Sequence, residues 1–158
     1  MEVGESMNNG NYTNCCGACC PEVSCTLSQN VDVLEPCDII TYTATCINND
    51  PLVTNAFFRD CLPAPLVFIP GTLYINGVNY PTLSPENGLP ISFAALRNTV
   101  TITYMARAYG DSCCCVKTTN CQCCRTFRTV CNRAQLCFVQ CCCRKTVNTN
   151  VLGVQVEY

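Results

Sequence analysis

Apolar and polar side chains alternate with a period of two along much of this chain. The clearest stretches are residues 38–47 and 99–108. Such alternation is typical of a β-strand with one buried face, because successive side chains point to opposite faces of a sheet. We therefore expect two long strands, whose inward-facing residues are Ile40, Tyr42, Ala44 and Cys46 in the first and Val100, Ile102, Tyr104 and Ala106 in the second.

Shorter β-type runs surround these two stretches. The chain reads as β from Val23, and further short strands are expected at residues 57–58, 66–69, 72–75 and 91–96, with a loop at 81–90. Asn76-Gly77 is a strong hairpin signal, because a type I′ turn needs positive φ at both central positions. No window combines a helical period with capping residues. The pattern predicts an all-β fold, an antiparallel β-sandwich.

The chain divides into three segments on composition. Residues 1–21 are rich in Gly, Asn, Ser and Thr without apolar periodicity, which predicts a flexible N-terminal arm. Residues 22–112 form the expected sandwich core. Residues 113–158 are predicted to be a Cys-rich β extension that packs on the same domain, with strands near 126–130, 136–139 and 151–158. We expect its cysteines at strand ends and in turns.

Cysteine is the most unusual feature of the composition. There are 19 cysteines among 158 residues, and they form two zones because residues 62–112 contain none. A middle that needs no cysteine indicates an ordinary folded core that carries two sulfur-rich zones. An odd number also means that at least one thiol cannot pair within its own chain.

Charge is distributed unevenly along the sequence. Residues 1–60 carry eight acids and a single base, Arg59, whereas residues 113–145 carry six bases and no acid. This asymmetry is either chance surface charge or the basis of a head-to-tail contact between an acidic and a basic end. Such a heterologous contact closes into rings or propagates as a filament.

The cysteine content normally indicates an oxidising compartment. However, the N-terminal residues have no basic region, apolar region or cleavage site of a signal peptide. No apolar run approaches the roughly 20 residues of a membrane span, so no membrane partner is expected. We expect synthesis in the cytoplasm without a signal peptide, and thiols that either bind metal there or oxidise after the producing cell opens.

Residues 30–108 resemble a conserved repeat of bacterial surface proteins, domain-of-unknown-function family eleven. The matching motifs are Val33-Leu34-Glu35-Pro36-Cys37-Asp38-Ile39-Ile40-Thr41-Tyr42-Thr43, Asn48-Asn49, Asp60-Cys61-Leu62-Pro63, Leu66-Val67-Phe68-Ile69-Pro70-Gly71-Thr72-Leu73, Val78-Asn79 and Thr99-Val100-Thr101-Ile102-Thr103-Tyr104. Cys37 stands where the family has the glycine of a Pro-Gly-Asp turn. The resemblance implies an immunoglobulin-like β-sandwich without enzymatic activity.

A single copy of the repeat with two cysteine zones also resembles the cysteine-rich exosporium and appendage subunits of Gram-positive spores. This second resemblance implies a subunit made in the mother cell, whose N-terminal arm cross-links it to neighbouring subunits. The expected partners are further copies of the chain in a head-to-tail homopolymer, together with other Cys-rich proteins of the spore surface.

Adjacent cysteines rarely bond to each other, and in an extended segment their side chains point to opposite faces. Each member of a pair is therefore able to reach a different partner, which suits a cross-linked lattice. The candidates for intermolecular disulfides are Cys15, Cys16, Cys19, Cys20, Cys141, Cys142 and Cys143. The candidates for intramolecular disulfides are Cys37, Cys46, Cys61, Cys113, Cys114, Cys115, Cys121, Cys123, Cys124, Cys131 and Cys137. The alternative is that all cysteines but one pair within the chain.

Metal binding is the rival explanation of the thiols. Cys16 and Cys19, and likewise Cys121 and Cys124, have the C-x-x-C spacing of structural zinc sites. The chain contains no histidine, so such a site would be all-thiolate. The same absence removes the commonest general base, and no catalytic residue is predicted. A pI near 5.0 argues against nucleic-acid binding.

The sequence therefore favours a structural subunit with no cofactor, which self-assembles into a disulfide-cross-linked fibre or surface layer on a bacterial endospore. The alternative hypothesis is a cytosolic all-thiolate zinc or iron–sulfur protein on a β-sandwich scaffold.

Overall fold

A computed structural model describes residues 22–53, 55–93, 98–109, 127–140 and 143–157 of the chain. Apart from one 3-10 turn at Pro85–Asn87, the regular elements of these ranges are all β-strands. In chain order they are β1 (Val23–Gln29), β2 (Val33–Leu34), β3 (Ile39–Asn48), β4 (Asn55–Arg59), β5 (Leu66–Phe68), β6 (Tyr74–Ile75), β7 (Val78–Asn79), β8 (Leu89–Ser92), β9 (Thr99–Ala108), β10 (Phe127–Asn132), β11 (Gln135–Gln140), β12 (Cys143–Asn148) and β13 (Leu152–Glu157). The described residues include no helix with the length and hydropathy needed to cross a membrane.

The two long strands predicted from alternation are β3 and β9, and they pair with each other in antiparallel register. Every second residue of each strand is buried, in the phase that the apolar pattern predicts. The hairpin at Asn76-Gly77 is also confirmed, since both residues have positive φ (50° and 80°) between the paired strands β6 and β7. The prediction of a loop at 81–90 is wrong for its last two residues, because β8 begins at Leu89. Pro90 is tolerated there because β8 is an edge strand.

The strands form two layers with an immunoglobulin-like arrangement. The first layer has the order β1-β3-β9-β6-β7, with β5 also paired to β9. The second consists of the sheets β12-β11-β4-β8 and β10-β13-β2. In the letter names of immunoglobulin strands, β1, β3, β9 and β6 correspond to A, B, E and D, so the first layer reproduces the ABED sheet. In the opposite layer, β4 takes the place of strand C, β10–β11 that of F and β12–β13 that of G. The predicted fold class, an all-β antiparallel immunoglobulin-like sandwich, is confirmed.

The C-terminal cysteine zone supplies integral strands of the second layer. β10 and β11 follow each other with only Arg133 and Ala134 between them, and β12 and β13 run back antiparallel to them. The β10–β13 pair and the β11–β12 pair meet where Ala134 and Thr149 exchange hydrogen bonds. β12 was not predicted, because both faces of an edge strand are partly exposed and its sequence lacks apolar alternation. The expectation that cysteines occupy strand ends and turns is wrong for Cys131 and Cys137, which lie within β10 and β11.

One hydrophobic core joins the layers, and all three sheets contribute to it. Tyr104 of β9 packs against Phe58 of β4 across the layers, with ring centroids 6.3 Å apart, and against Tyr42 within its own sheet at 5.7 Å. One side of the sandwich is closed by Asn150, whose side-chain amide donates to the Leu27 carbonyl of β1 and accepts from its N–H. The core that the structure describes is formed by residues between Val23 and Val156.

Candidate functional site

Cys25 and Cys46 form a disulfide inside the core. They are cross-strand partners on β1 and β3, with Cα atoms 4.0 Å apart, and both are buried. Cys46 was among the intramolecular candidates, but Cys25 was missed. Its position carried a signal, since Cys25 alternates in phase with Val23 and Leu27 and therefore lies on the inward face of β1.

Twelve of the remaining candidate cysteines lie outside the described residues. These are Cys15, Cys16, Cys19, Cys20, Cys113, Cys114, Cys115, Cys121, Cys123, Cys124, Cys141 and Cys142. Their predicted roles stay predictions. What the structure does show is where the segments that carry them join the sandwich.

The N-terminal arm and the β11–β12 turn join the sandwich at one end, which we call the arm pole. Asn49 donates from its backbone N–H to the carbonyl of Glu22, the residue that follows the arm, over 2.9 Å. Asp50, next to Asn49, accepts a hydrogen bond from the side-chain amide of Gln140 at the end of β11. Two cysteine-bearing segments that are more than a hundred residues apart in sequence thus meet the sandwich at the same end.

The segment 110–126 joins at the opposite end, which we call the loop pole. Its flanking residues are Tyr109, directly after β9, and Phe127, the first residue of β10. Phe127 pairs with Glu157, and β2 runs parallel to β13, so the residues that follow β2 are carried to the same end. One of them is Cys37, whose N–H donates to the Ala108 carbonyl over 2.8 Å.

Cys37 has a backbone conformation that is unusual for its residue type. Its φ is 71°, in the left-handed region that favours glycine. A side chain there is unfavourable by about 1–2 kcal/mol, so the thiol is retained at a position where glycine fits better.

Three cysteines are presented on the surface of the sandwich without a disulfide among the described residues. Cys61 and Cys131 are exposed, and Cys137 is half-buried on the outer face of β11. The Sγ atom of Cys137 lies 3.6 Å from the hydroxyl oxygen of Thr146 on β12. Cys131 and Cys137 lie within strands, where the sheet sets their positions, and Cys61 follows Asp60 just beyond β4. Cys143, an intermolecular candidate, is half-buried at the start of β12.

A buried carboxyl group lies between the layers. Asp60, at the end of β4, is fully buried, and its Oδ2 atom accepts hydrogen bonds from the hydroxyl of Tyr104 and from the side-chain amide of Asn132, the latter at 2.8 Å. Burial raises the pKa of Asp60 above its ordinary value, although the two donors oppose the shift. Burial, and then the nearby Asp60, also raises the pKa values of Tyr42 and Tyr104. This cluster joins β3, β4, β9 and β10, and we assign it a structural role.

The described residues do not assemble a metal site. No group of three or more Cys, His, Asp or Glu side chains in these ranges is arranged to hold an ion. The C-x-x-C pairs Cys16–Cys19 and Cys121–Cys124 lie outside the described residues, so the metal hypothesis stays untested for them.

Comparison with known proteins adds no identity and no function. No protein-family model matches the chain, and no curated protein matches it. Among solved structures it is similar to the CARDB domain of a Pyrococcus furiosus protein in complex with di-metal ions, at 12% identity over 86% of this chain and 88% of that one, with a TM-score of 0.44. It is also similar to AvmM, which catalyses macrocyclization in alchivemycin A biosynthesis, at 9% identity over 85% and 87% of the two chains, with a TM-score of 0.39. Both similarities are too remote to transfer metal binding or catalysis to this chain.

Proposed function

We propose that the protein is a non-enzymatic structural subunit that self-assembles into a disulfide-cross-linked fibre or surface layer. One observation carries this proposal: the segments that hold most of the cysteines join the sandwich at its two opposite poles, while the core between them already has its own disulfide. Cross-links at two poles connect each subunit to two neighbours. That is the minimum requirement for a linear polymer.

The distance between the poles is set by the long strands. β3 has ten residues, which at about 3.3 Å per residue separate the poles by roughly 30 Å. Segments attached at the two poles therefore leave the sandwich in opposite directions. This separation supports bonds between copies in preference to bonds between the zones of one copy.

The cross-linking step is an ordinary thiol oxidation. A thiolate of one subunit attacks a disulfide of a low-molecular-weight oxidant such as glutathione disulfide, which forms a mixed disulfide and releases one thiol. A cysteine of the neighbouring subunit then attacks this mixed disulfide and releases the second thiol. Because dissociation of the product requires reduction, the assembly is kinetically stable.

The place of assembly is part of the same proposal. The resemblance of the sequence to spore-surface subunits supports an endospore appendage or exosporium, with the mother-cell cytoplasm as the site of synthesis. The partners are other copies of the chain and, at the ends or branch points of the polymer, other Cys-rich surface proteins.

The test compares purified protein on denaturing gels with and without reductant, together with the content of bound zinc and iron. We expect a ladder of covalent oligomers that collapses to the monomer only with reductant. Material alkylated before oxidation is the matched control and should remain monomeric. A monomer that holds stoichiometric metal on free thiols would overturn the proposal and support the all-thiolate metal protein.

A further inference from the structure

The outer face of β12-β11-β4-β8 carries an apolar patch where a sheet facing water normally carries polar residues. Phe57 lies at its centre with 58% of its surface exposed, and Val139 and Leu52 beside it are 54% and 64% exposed. The cross-strand register places Thr146, Cys137, Phe57 and Pro90 in one row across the four strands. Contiguous exposed apolar surface of this kind marks an interaction site.

The charge of this surface is positive. Arg144 and Arg59 project from the rows on either side of Phe57, and Lys145 borders the same groove on β12. Among the described residues of these four strands, the side chains that point outward include no carboxylate. An apolar centre with cations around it has the composition of a protein interface. We call it the cationic face.

A second surface has the complementary composition. Residues 32–39 contain Asp32, Glu35 and Asp38 and no base, and they expose two apolar side chains, Val33 and Ile39, by 53% and 44%. This acidic segment includes β2, which pairs only with β13 and therefore forms an edge of its sheet. A base borders this segment on β9, where Arg107 is the half-buried cross-strand partner of Ile39.

The two surfaces belong to different parts of the molecule. The acidic segment begins with β2 on the β10-β13-β2 sheet and reaches the start of β3 at the loop pole, whereas the cationic face lies on the other sheet of the second layer, towards the arm pole. A contact between unlike surfaces of two identical subunits is heterologous and leaves one of each surface free, so it propagates.

We propose that the cationic face of one subunit binds the acidic segment of a second copy of this chain. This contact rests on the proposed self-assembly and specifies its non-covalent step. It gives the polymer a polarity before any disulfide forms. The sequence indicated a contact between an acidic N-terminal end and a basic C-terminal end. In the structure, the acidic residues Glu22 and Asp50 lie at the arm pole, near the basic strand β12. The acidic and basic parts of the sequence are therefore not separated at opposite poles.

The test uses two charge reversals in the full chain, measured by sedimentation velocity in reductant. The first variant combines Arg59→Glu and Arg144→Glu on the cationic face, and the second combines Asp32→Lys and Glu35→Lys in the acidic segment. Arg128→Glu with Arg133→Glu is the matched control, since both arginines are exposed and lie outside the two surfaces. Thermal unfolding confirms that each variant is folded.

We expect the unaltered chain to associate at low salt and to dissociate as salt is added, because the attraction between exposed charges is screened. Each reversal alone should weaken association by about tenfold or more, and the control should not. An equimolar mixture of the two variants should associate again, because each reversed surface then meets a reversed partner. Phe57→Ser should weaken association without changing its dependence on salt.

The contact is disproved if either reversal associates as the unaltered chain does, or if the mixture fails to restore association. These outcomes are distinct from failure of the proposed function. A chain that forms oxidised ladders but does not associate in reductant disproves the contact alone. A chain that associates reversibly but never forms ladders disproves the cross-linking alone.

Discussion

Asn132 donates a hydrogen bond to the buried carboxyl group of Asp60 over 2.8 Å, and this bond ties β10 to the end of β4. The C-terminal cysteine zone is thereby anchored to the sandwich core through a polar contact. Among the described residues, the Oδ1 atom of Asp60 has no hydrogen-bond partner. Burial disfavours the charged form of this carboxyl group, which is why its pKa is raised.

The first prediction concerns Asp60 and pH. Because burial raises its pKa above the ordinary 3.8, its contribution to stability is complete below pH 3.8 and is lost as the pH rises through the folded-state value. Asp60→Asn removes this titration and places an amide donor where Oδ1 has no partner. We expect the variant to be more stable than the parent by about 1–2 kcal/mol at pH 7, with the difference shrinking towards pH 4. Urea unfolding at several pH values measures it.

Asp60→Ala serves as the control for this experiment. It leaves the Tyr104 hydroxyl and the Asn132 amide without their acceptor, so we expect a loss of about 1–3 kcal/mol at every pH. If Asp60→Asn unfolds with the same pH dependence as the parent, then Asp60 is not the titrating group and the assignment is wrong.

A second prediction concerns the disulfide between Cys25 and Cys46. It closes a loop with a sequence separation of 21 residues, for which loop-closure entropy gives a stabilisation of about 3 kcal/mol. The double variant Cys25→Ala with Cys46→Ala should lose about this amount, measured by guanidinium unfolding of the monomer. Strong reductant should destabilise the parent to a similar extent and leave the variant unchanged. Equal sensitivity of both proteins to reductant would place the stabilising disulfide elsewhere.

The sequence predicted the regular part of this fold well because its signals are local. Alternation located β3 and β9, and Asn76-Gly77 located the β6–β7 turn. It failed where the determining contact is distant in sequence: the pairing of Cys25 with Cys46, the burial of Asp60, and the edge strand β12, whose partly exposed faces leave no alternation. The arrangement of the poles was also beyond reach, since it depends on which strand ends lie together.

A third prediction follows from the positive φ of Cys37. Replacing it by glycine removes an unfavourable Cβ while keeping the backbone hydrogen bond to Ala108, so Cys37→Gly should stabilise the fold by about 1 kcal/mol. Asn76→Gly is the matched control at another positive φ. It should destabilise, because the Asn76 side chain accepts the N–H of Thr101 over 2.9 Å. Thermal unfolding in reductant measures both. A loss of stability in Cys37→Gly would show that the thiol itself stabilises the fold.

The last prediction separates folding from cross-linking in the N-terminal arm. Replacing Cys15, Cys16, Cys19 and Cys20 by serine should leave the unfolding temperature of the monomer unchanged, because the core that the structure describes is built from residues 23–156. Assemblies of this variant should dissociate on heating in denaturant, since the covalent links through the arm are gone. The matched control changes Asn8, Asn9, Asn11 and Asn14 to serine, which alters as many arm residues and removes no thiol. Gel electrophoresis after heating distinguishes them: resistant assemblies from the cysteine variant would refute the cross-linking role of the arm.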